Sequence, residues 1–138
     1  METYMRLARP GGTIVHEDPD AGSWHFNPPA PALERLIVVI QEAFRLCGGD
    51  WQAGRGYLHL LREFGIEGNV SAEVFALPPS PPYLRLPLQF ATALEESLLS
   101  LVSADELTKL RKEGEAELQE PGRWGTTFRL LQCWGRCP

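Results

Sequence analysis

Leu7-Ala8-Arg9-Pro10-Gly11-Gly12-Thr13-Ile14-Val15-His16 is the stretch that decides how the chain is read. Pro10-Gly11-Gly12 has the composition of a tight turn, because proline presets one backbone angle and glycine accepts the positive φ that a side chain resists. Thr13, Ile14 and Val15 follow, and their β-branched side chains favour extended backbone. The segment therefore predicts a buried strand, Thr13 to His16, entered through a glycine turn. Beyond His16 the composition changes. Residues 17–31 are acidic and rich in breakers, with Asp18-Pro19-Asp20 and Asn27-Pro28-Pro29, and predict a loop.

Downstream, the apolar spacing becomes helical. Leu33, Leu36, Ile37, Ile40, Ala43, Phe44 and Cys47 predict one face of a helix stopped by Gly48-Gly49. Asp50 predicts the N-cap of a second helix, with Tyr57, Leu58, Leu61 and Phe64 on one face and Gly65 at its end. Val70, Ala72, Val74 and Ala76 alternate with Ser71, Glu73 and Phe75 as in a strand, which Pro78-Pro79-Ser80-Pro81-Pro82 stops. A third helix is predicted from Pro87 through Leu88, Ala91, Leu94, Leu98 and Leu101. A capping box at Ser103 and Glu106 opens a fourth, ending near Glu120. From Trp124 to Trp134 apolar and polar residues alternate, predicting a closing strand of about ten residues with Trp124 and Trp134 on its core face. The predicted order is β-α-α-β-α-α-β.

The 138 residues suffice for one core, and 43% hydrophobic with 22% charged residues is a globular composition. A net charge of −5 gives no general attraction to nucleic acid or anionic membrane. The longest apolar run, Leu36 to Ile40, is too short to span a bilayer, and Glu2, Arg6 and Arg9 stand where a signal peptide needs apolar residues. A cytoplasmic protein is the expectation. Cys47, Cys133 and Cys137 form no C-x-x-C pair and are expected as reduced thiols, while His16, His25 and His59 lack ligand spacing, so no metal is expected.

The run Leu7 to Val15 resembles the helix end, Pro-Gly-Gly turn and fifth strand of class I S-adenosylmethionine (SAM)-dependent methyltransferases, written L-x-P-G-G-x-hydrophobic-hydrophobic. Glu17-Asp18-Pro19-Asp20 follows at the strand end. Gly54-Arg55 with Leu58, Leu60, Leu61 and Phe64-Gly65 is similar to a later helix of that family, G-R-x-L-x-x-L-L-x-x-x-G. The remaining order resembles the family's sixth strand, inserted helical segment and reversed seventh strand. The likeness implies an α/β, Rossmann-like fold over residues 1–138, a single truncated methyltransferase-like domain. It would hold a three-stranded mixed sheet, equivalent to the fifth, sixth and seventh strands, and about four helices. Residues 17–31 become a substrate-side loop and 78–121 a helical insertion before the last strand.

One departure shapes the functional expectation. The family's E/D-x-G-x-G-x-G turn is not matched, since the one G-x-G of this sequence, Gly54-Arg55-Gly56, lies inside a helical pattern. The resemblance thus implies a substrate-binding C-terminal half that acts on a small organic molecule and binds no cofactor as an isolated chain. SAM enters only where a complementary N-terminal half is supplied. The first strand, central in the family, is left with a bare edge, which implies a homodimer or a complex with an N-terminal methyltransferase half. Two other readings stay open: a SAM-independent enzyme of cyclase or isomerase type using a repurposed acceptor pocket, and a non-catalytic interaction module.

Ligands of doubly wound sheets sit at the carboxyl ends of strands, which points to the loop after His16. A histidine beside carboxylates suits a general base of raised pKa, so His16, Glu17 and His25 are the candidate catalytic residues. The alternative has His16 in the core and Asp18 and Asp20 capping turns around Pro19. Asp18, Trp24, Phe26, Trp51, Arg55 and Tyr83 are the candidate substrate contacts. Trp24 and Phe26 fold back onto a ligand or onto the core. Arg55 meets an anionic substrate or pairs with Glu17 or Asp50.

Overall fold

The Pro10-Gly11-Gly12 turn forms as its residues require. The computed structural model describes residues 2–78 and 82–138, and Gly11 takes a φ of 73°, open to glycine and strained for other residues. The turn links helix α1 (Glu2–Leu7) to strand β1 (Thr13–Asp20). It is closed from far along the chain: Gly11 N–H donates to the Cys137 carbonyl at 3.1 Å, and Cys137 N–H donates to the Gly12 carbonyl at 2.8 Å.

The protein is α/β, and its described residues fall into two compact units. The first comprises 2–22, 51–74 and 128–138; the second comprises 23–50, 75–78 and 82–127. In the first unit β6 (Arg129–Arg136) lies between β1 and β3 (Gly68–Glu73) and is antiparallel to both. Its register pairs Thr13 with Arg136 and Asp20 with Arg129 on one side, and Gly68 with Gly135 and Glu73 with Leu130 on the other. β1 and β3 therefore run parallel to each other without touching. Every hydrogen-bonded pair of this sheet is antiparallel, where a mixed sheet was the expectation, because the reversed strand separates the two parallel ones. β1 also continues to Asp20, past the expected boundary at His16. Pro19 does not stop it, since among the described residues β1 is an edge strand, where a missing N–H costs no ladder bond.

One face of the sheet carries Ile14, His16, Asp18, Leu131 and Cys133 and packs against α3 (Tyr57–Glu63) and the 3-10 turn Ala53–Gly56. Ile14, Leu61, Ile66, Cys133 and Cys137 form the buried cluster, with Ala8, Tyr57 and Leu58 packed on it. Helix α3 starts at Tyr57 after that 3-10 turn, with Gly56 rather than Asp50 at its N-cap. Gly65, at φ 72°, ends it as expected.

In the second unit β2 (His25–Asn27), β4 (Ala76–Leu77) and β5 (Trp124–Thr126) form a small antiparallel sheet in the order β2-β5-β4. The expected ten-residue closing strand is thus two strands, β5 and β6, in different sheets. Trp124 is 43% exposed and does not share a core face with Trp134. Helix α2 (Pro31–Leu46) buries Leu33, Leu36, Ile37, Ile40 and Ala43 of the predicted face, while Phe44 is half-buried and Cys47, just past the helix, is exposed; Gly48 at φ 80° follows its end. The predicted third helix is interrupted at Leu94 into α4 (Leu86–Ala93) and α5 (Glu95–Leu99). Helix α6 (Ala104–Leu118) begins at the predicted cap, where Glu106 N–H donates to Ser103 Oγ at 3.1 Å. Of the proline run, residues 79–81 lie outside the described residues.

α2 has alanine at its N-cap and no cap from its own side chains. Glu117 of α6 supplies one: its Oε1 accepts from Ala32 N–H at 2.9 Å and its Oε2 from Leu33 N–H at 3.0 Å. A carboxylate there satisfies two orphan donors and faces the positive end of the helix dipole. Glu117→Ala is expected to lower stability by about 1–2 kcal/mol in urea unfolding. Glu113→Ala, on the exposed side of the same helix, is expected to change it by less than about 0.5 kcal/mol.

Candidate functional site

The carboxyl end of β1 is organised around Asp20. This side chain is fully buried, and a buried carboxylate is tolerated only with charged or hydrogen-bonding partners. Arg55, on the 3-10 turn, supplies a bidentate fork: Nε donates to Oδ2 at 2.7 Å and Nη2 to Oδ1 at 2.8 Å. Gly22 N–H donates to Oδ1 at 2.8 Å, and Arg129 Nε stands 4.0 Å from Oδ2. The Arg55 hydrogen bonds hold the Asp20 carboxyl below the usual carboxylate range, against the opposing effect of burial, with help from Gly22 and the charge of Arg129. A Cβ at position 22 would lie 2.3 Å from Arg55 Nη2, so the close approach of the guanidinium depends on glycine there.

His16 and Glu17 are adjacent and therefore face opposite sides of the sheet. Glu17 is exposed, and its Oε2 accepts from Gln132 Nε2 at 2.8 Å. His16 is half-buried between two rings, edge-on to Tyr4 at 4.9 Å and tilted to Tyr57 at 4.8 Å, and its Nε2 has no hydrogen-bond partner among the described residues. The register places Cys133 opposite His16. Burial pushes the Cys133 thiol up, which keeps it protonated and unlike a catalytic thiolate. Asp18 is half-buried against Gly54, and together with burial its charge pushes the Tyr57 hydroxyl up, burial being the larger effect. Trp51 packs edge-on to Phe128 at 5.8 Å. His16, Asp18, Trp51 and Arg55 thus belong to one unit, with His16 bracketed by Tyr4 and Tyr57.

Trp24, His25, Phe26 and Tyr83 belong to the second unit. Trp24 and Phe26 are 6% and 0% exposed, and Trp24 meets Phe90 edge-on at 6.3 Å, so the aromatics of the 17–31 segment cover the core of their own unit. His25 is exposed, with Nδ1 3.9 Å from Glu34 Oε1, an interaction of surface ion-pair strength only when the ring is protonated. Tyr83 is 56% exposed on the 3-10 turn Pro82–Arg85.

Asp20 is a partner of Arg55 that the sequence did not suggest. Arg129 and Cys133 were not singled out as site residues. The signal for them was alternation along β6, which puts both on the Asp20 face once the register is known. Gly54, first glycine of the G-x-G, is buried in the 3-10 turn, and a Cβ there would lie 3.1 Å from Asp18 Cβ and 3.3 Å from Leu131 Cδ1. It serves close packing of the turn on the sheet. Among the described residues no group of three or more His, Cys, Asp or Glu could hold a metal ion, and no helix is long and apolar enough to cross a membrane. No family model matches the chain, and no curated protein matches it.

A carboxyl whose pKa is lower in the folded than in the unfolded chain stabilises the fold fully above its unfolded value of about 4. That contribution is lost as pH falls through the depressed folded value. Asp20→Asn is expected to cost about 2 kcal/mol at pH 7 and to flatten the decline in stability below about pH 4. Arg55→Leu leaves the carboxylate buried with its main partner gone, so this variant is expected to be relatively more stable at pH 4 than at pH 7. Urea unfolding from pH 3 to 7 reads both.

Proposed function

We propose that the chain is the substrate-side, C-terminal part of a class I methyltransferase-like, Rossmann-like fold, acting on a small organic molecule together with a second chain. That chain is another copy or a separate N-terminal half, and one of its strands lies along the outer edge of β1. The reading rests on the sheet order: after a Pro-Gly-Gly turn, two parallel strands are followed by a reversed last strand that lies between them. The reversed seventh strand of the resembled family has the same sense.

Exposure supports the need for a partner. β1 has β6 on one edge and no strand on the other among the described residues. On the face turned away from α3, Val15 is 56% exposed, and Leu130 and Trp134 are half-buried. Doubly wound sheets keep both faces covered, and a bare apolar edge strand is a template for association. Free thiols at Cys47, Cys133 and Cys137 accord with a cytoplasmic setting. The acid-base enzyme reading draws no support from the histidines, because among the described residues neither His16 nor His25 is hydrogen-bonded to a carboxylate.

The isolated chain is expected to elute as a dimer or larger assembly in size-exclusion chromatography with light scattering at micromolar concentration. Val15→Arg is expected to shift it toward monomer. A wild-type monomer would contradict the homodimer and leave only a separate N-terminal half as the second chain. Calorimetric titration is expected to give no heat of SAM binding for the isolated chain, and micromolar binding would count against the proposal.

A further inference from the structure

On the helix-covered face of the first unit, the 3-10 turn and α3 leave the sheet uncovered toward β3. The result is a cleft of about 420 Å³ lined by Arg55, Leu58, Val70, Arg129, Leu131 and Cys133, with Gly54 at its wall. Val70 belongs to the covered face, opposite Cys133, and is nevertheless 50% exposed, which marks the opening. The charged residues of the lining are both guanidinium-bearing. Asp20, which holds Arg55 through two hydrogen bonds and stands 4.0 Å from Arg129, is fully buried and does not line the cleft, while the Arg55 and Arg129 side chains remain 48% and 36% exposed. Asp18 lies beside Gly54 and Tyr57 and is not part of the lining either. The rest of the lining is apolar: two leucines, a valine and a neutral thiol.

We infer that this cleft binds a small organic monoanion, a carboxylate carried on a short aliphatic chain. The carboxylate meets Arg129 and Arg55, and the chain lies along Leu58, Val70 and Leu131. A guanidinium fixed by a buried carboxylate is preorganised, so little side-chain freedom is lost when an anion arrives. The apolar lining selects against an anion with no hydrocarbon part. The inference stands on the first unit alone and does not depend on the methyltransferase-like reading, whose tests are assembly and SAM titration.

Titration of the ¹⁵N-labelled full chain with hexanoate, acetate, hexan-1-ol and inorganic phosphate tests it. Hexanoate is expected to move the Leu58, Val70 and Leu131 amides saturably, and to bind at least about tenfold more tightly than acetate or hexanol, since each buried methylene is worth about fourfold in affinity. Arg129→Gln and Val70→Asp are each expected to weaken hexanoate about tenfold or more, and Arg45→Gln, on the exposed surface of α2, to leave it unchanged. Val70 is exposed, so Val70→Asp keeps the test available if Arg129→Gln fails to fold. No saturable shift with hexanoate, equal affinity for inorganic phosphate, or unchanged binding in the folded Arg129→Gln or Val70→Asp variant would each overturn the inference.

Discussion

The first unit depends on the ladder that β6 makes with two strands at once. Inserted between β1 and β3, the last strand pairs with residues 13–20 on one side and 68–73 on the other, so segments far apart in sequence become one sheet. The same ladder ties Cys137 to the Pro-Gly-Gly turn and sets the register that brings Arg129 opposite Asp20. Shifting that register by one residue would turn Leu131 and Cys133 to the far face and remove both from the core. The site therefore inherits its geometry from backbone pairing before any side chain contributes.

Within that frame the decisive side-chain interaction is the buried carboxylate of Asp20. It orients Arg55 through two hydrogen bonds and draws Arg129 to 4.0 Å. Burial alone would favour the protonated acid, and the guanidinium reverses that preference. The result is a fixed charge arrangement beneath an apolar-walled cleft. His16, the most obvious residue for acid-base work, is half-buried between the rings of Tyr4 and Tyr57.

Much of this was legible in the sequence, and the failures have physical causes. The β-branched run Thr13 to Val15, the apolar face of α2 with Gly48 behind it, and the Ser103 cap are local signals, and each formed where it was read. Alternation from Trp124 to Trp134 was also real, yet period two does not say which sheet a strand joins, and the chain changes sheets at Thr127-Phe128. The break at Leu94 left no mark because the apolar spacing continues through it. The Asp20–Arg55 pair spans 35 positions, and nothing local distinguishes a carboxylate that will be buried from one that caps a turn. Trp24 and Phe26 had two possible destinations, and only the tertiary structure places them in a core.

The central claim is that β1, an edge strand among the described residues, pairs along its outer edge ahead of Pro19 with a strand of a second chain in the assembled protein. Hydrogen exchange of the β1 amides tests it most directly. Amides that point toward β6 are protected in either case, whereas those that point away depend on a neighbouring strand. The account predicts that protection of the outward amides rises with protein concentration or on adding the partner chain, until they exchange as slowly as the inward ones. Outward amides that exchange freely at every concentration, beside inward amides that stay protected, would contradict it.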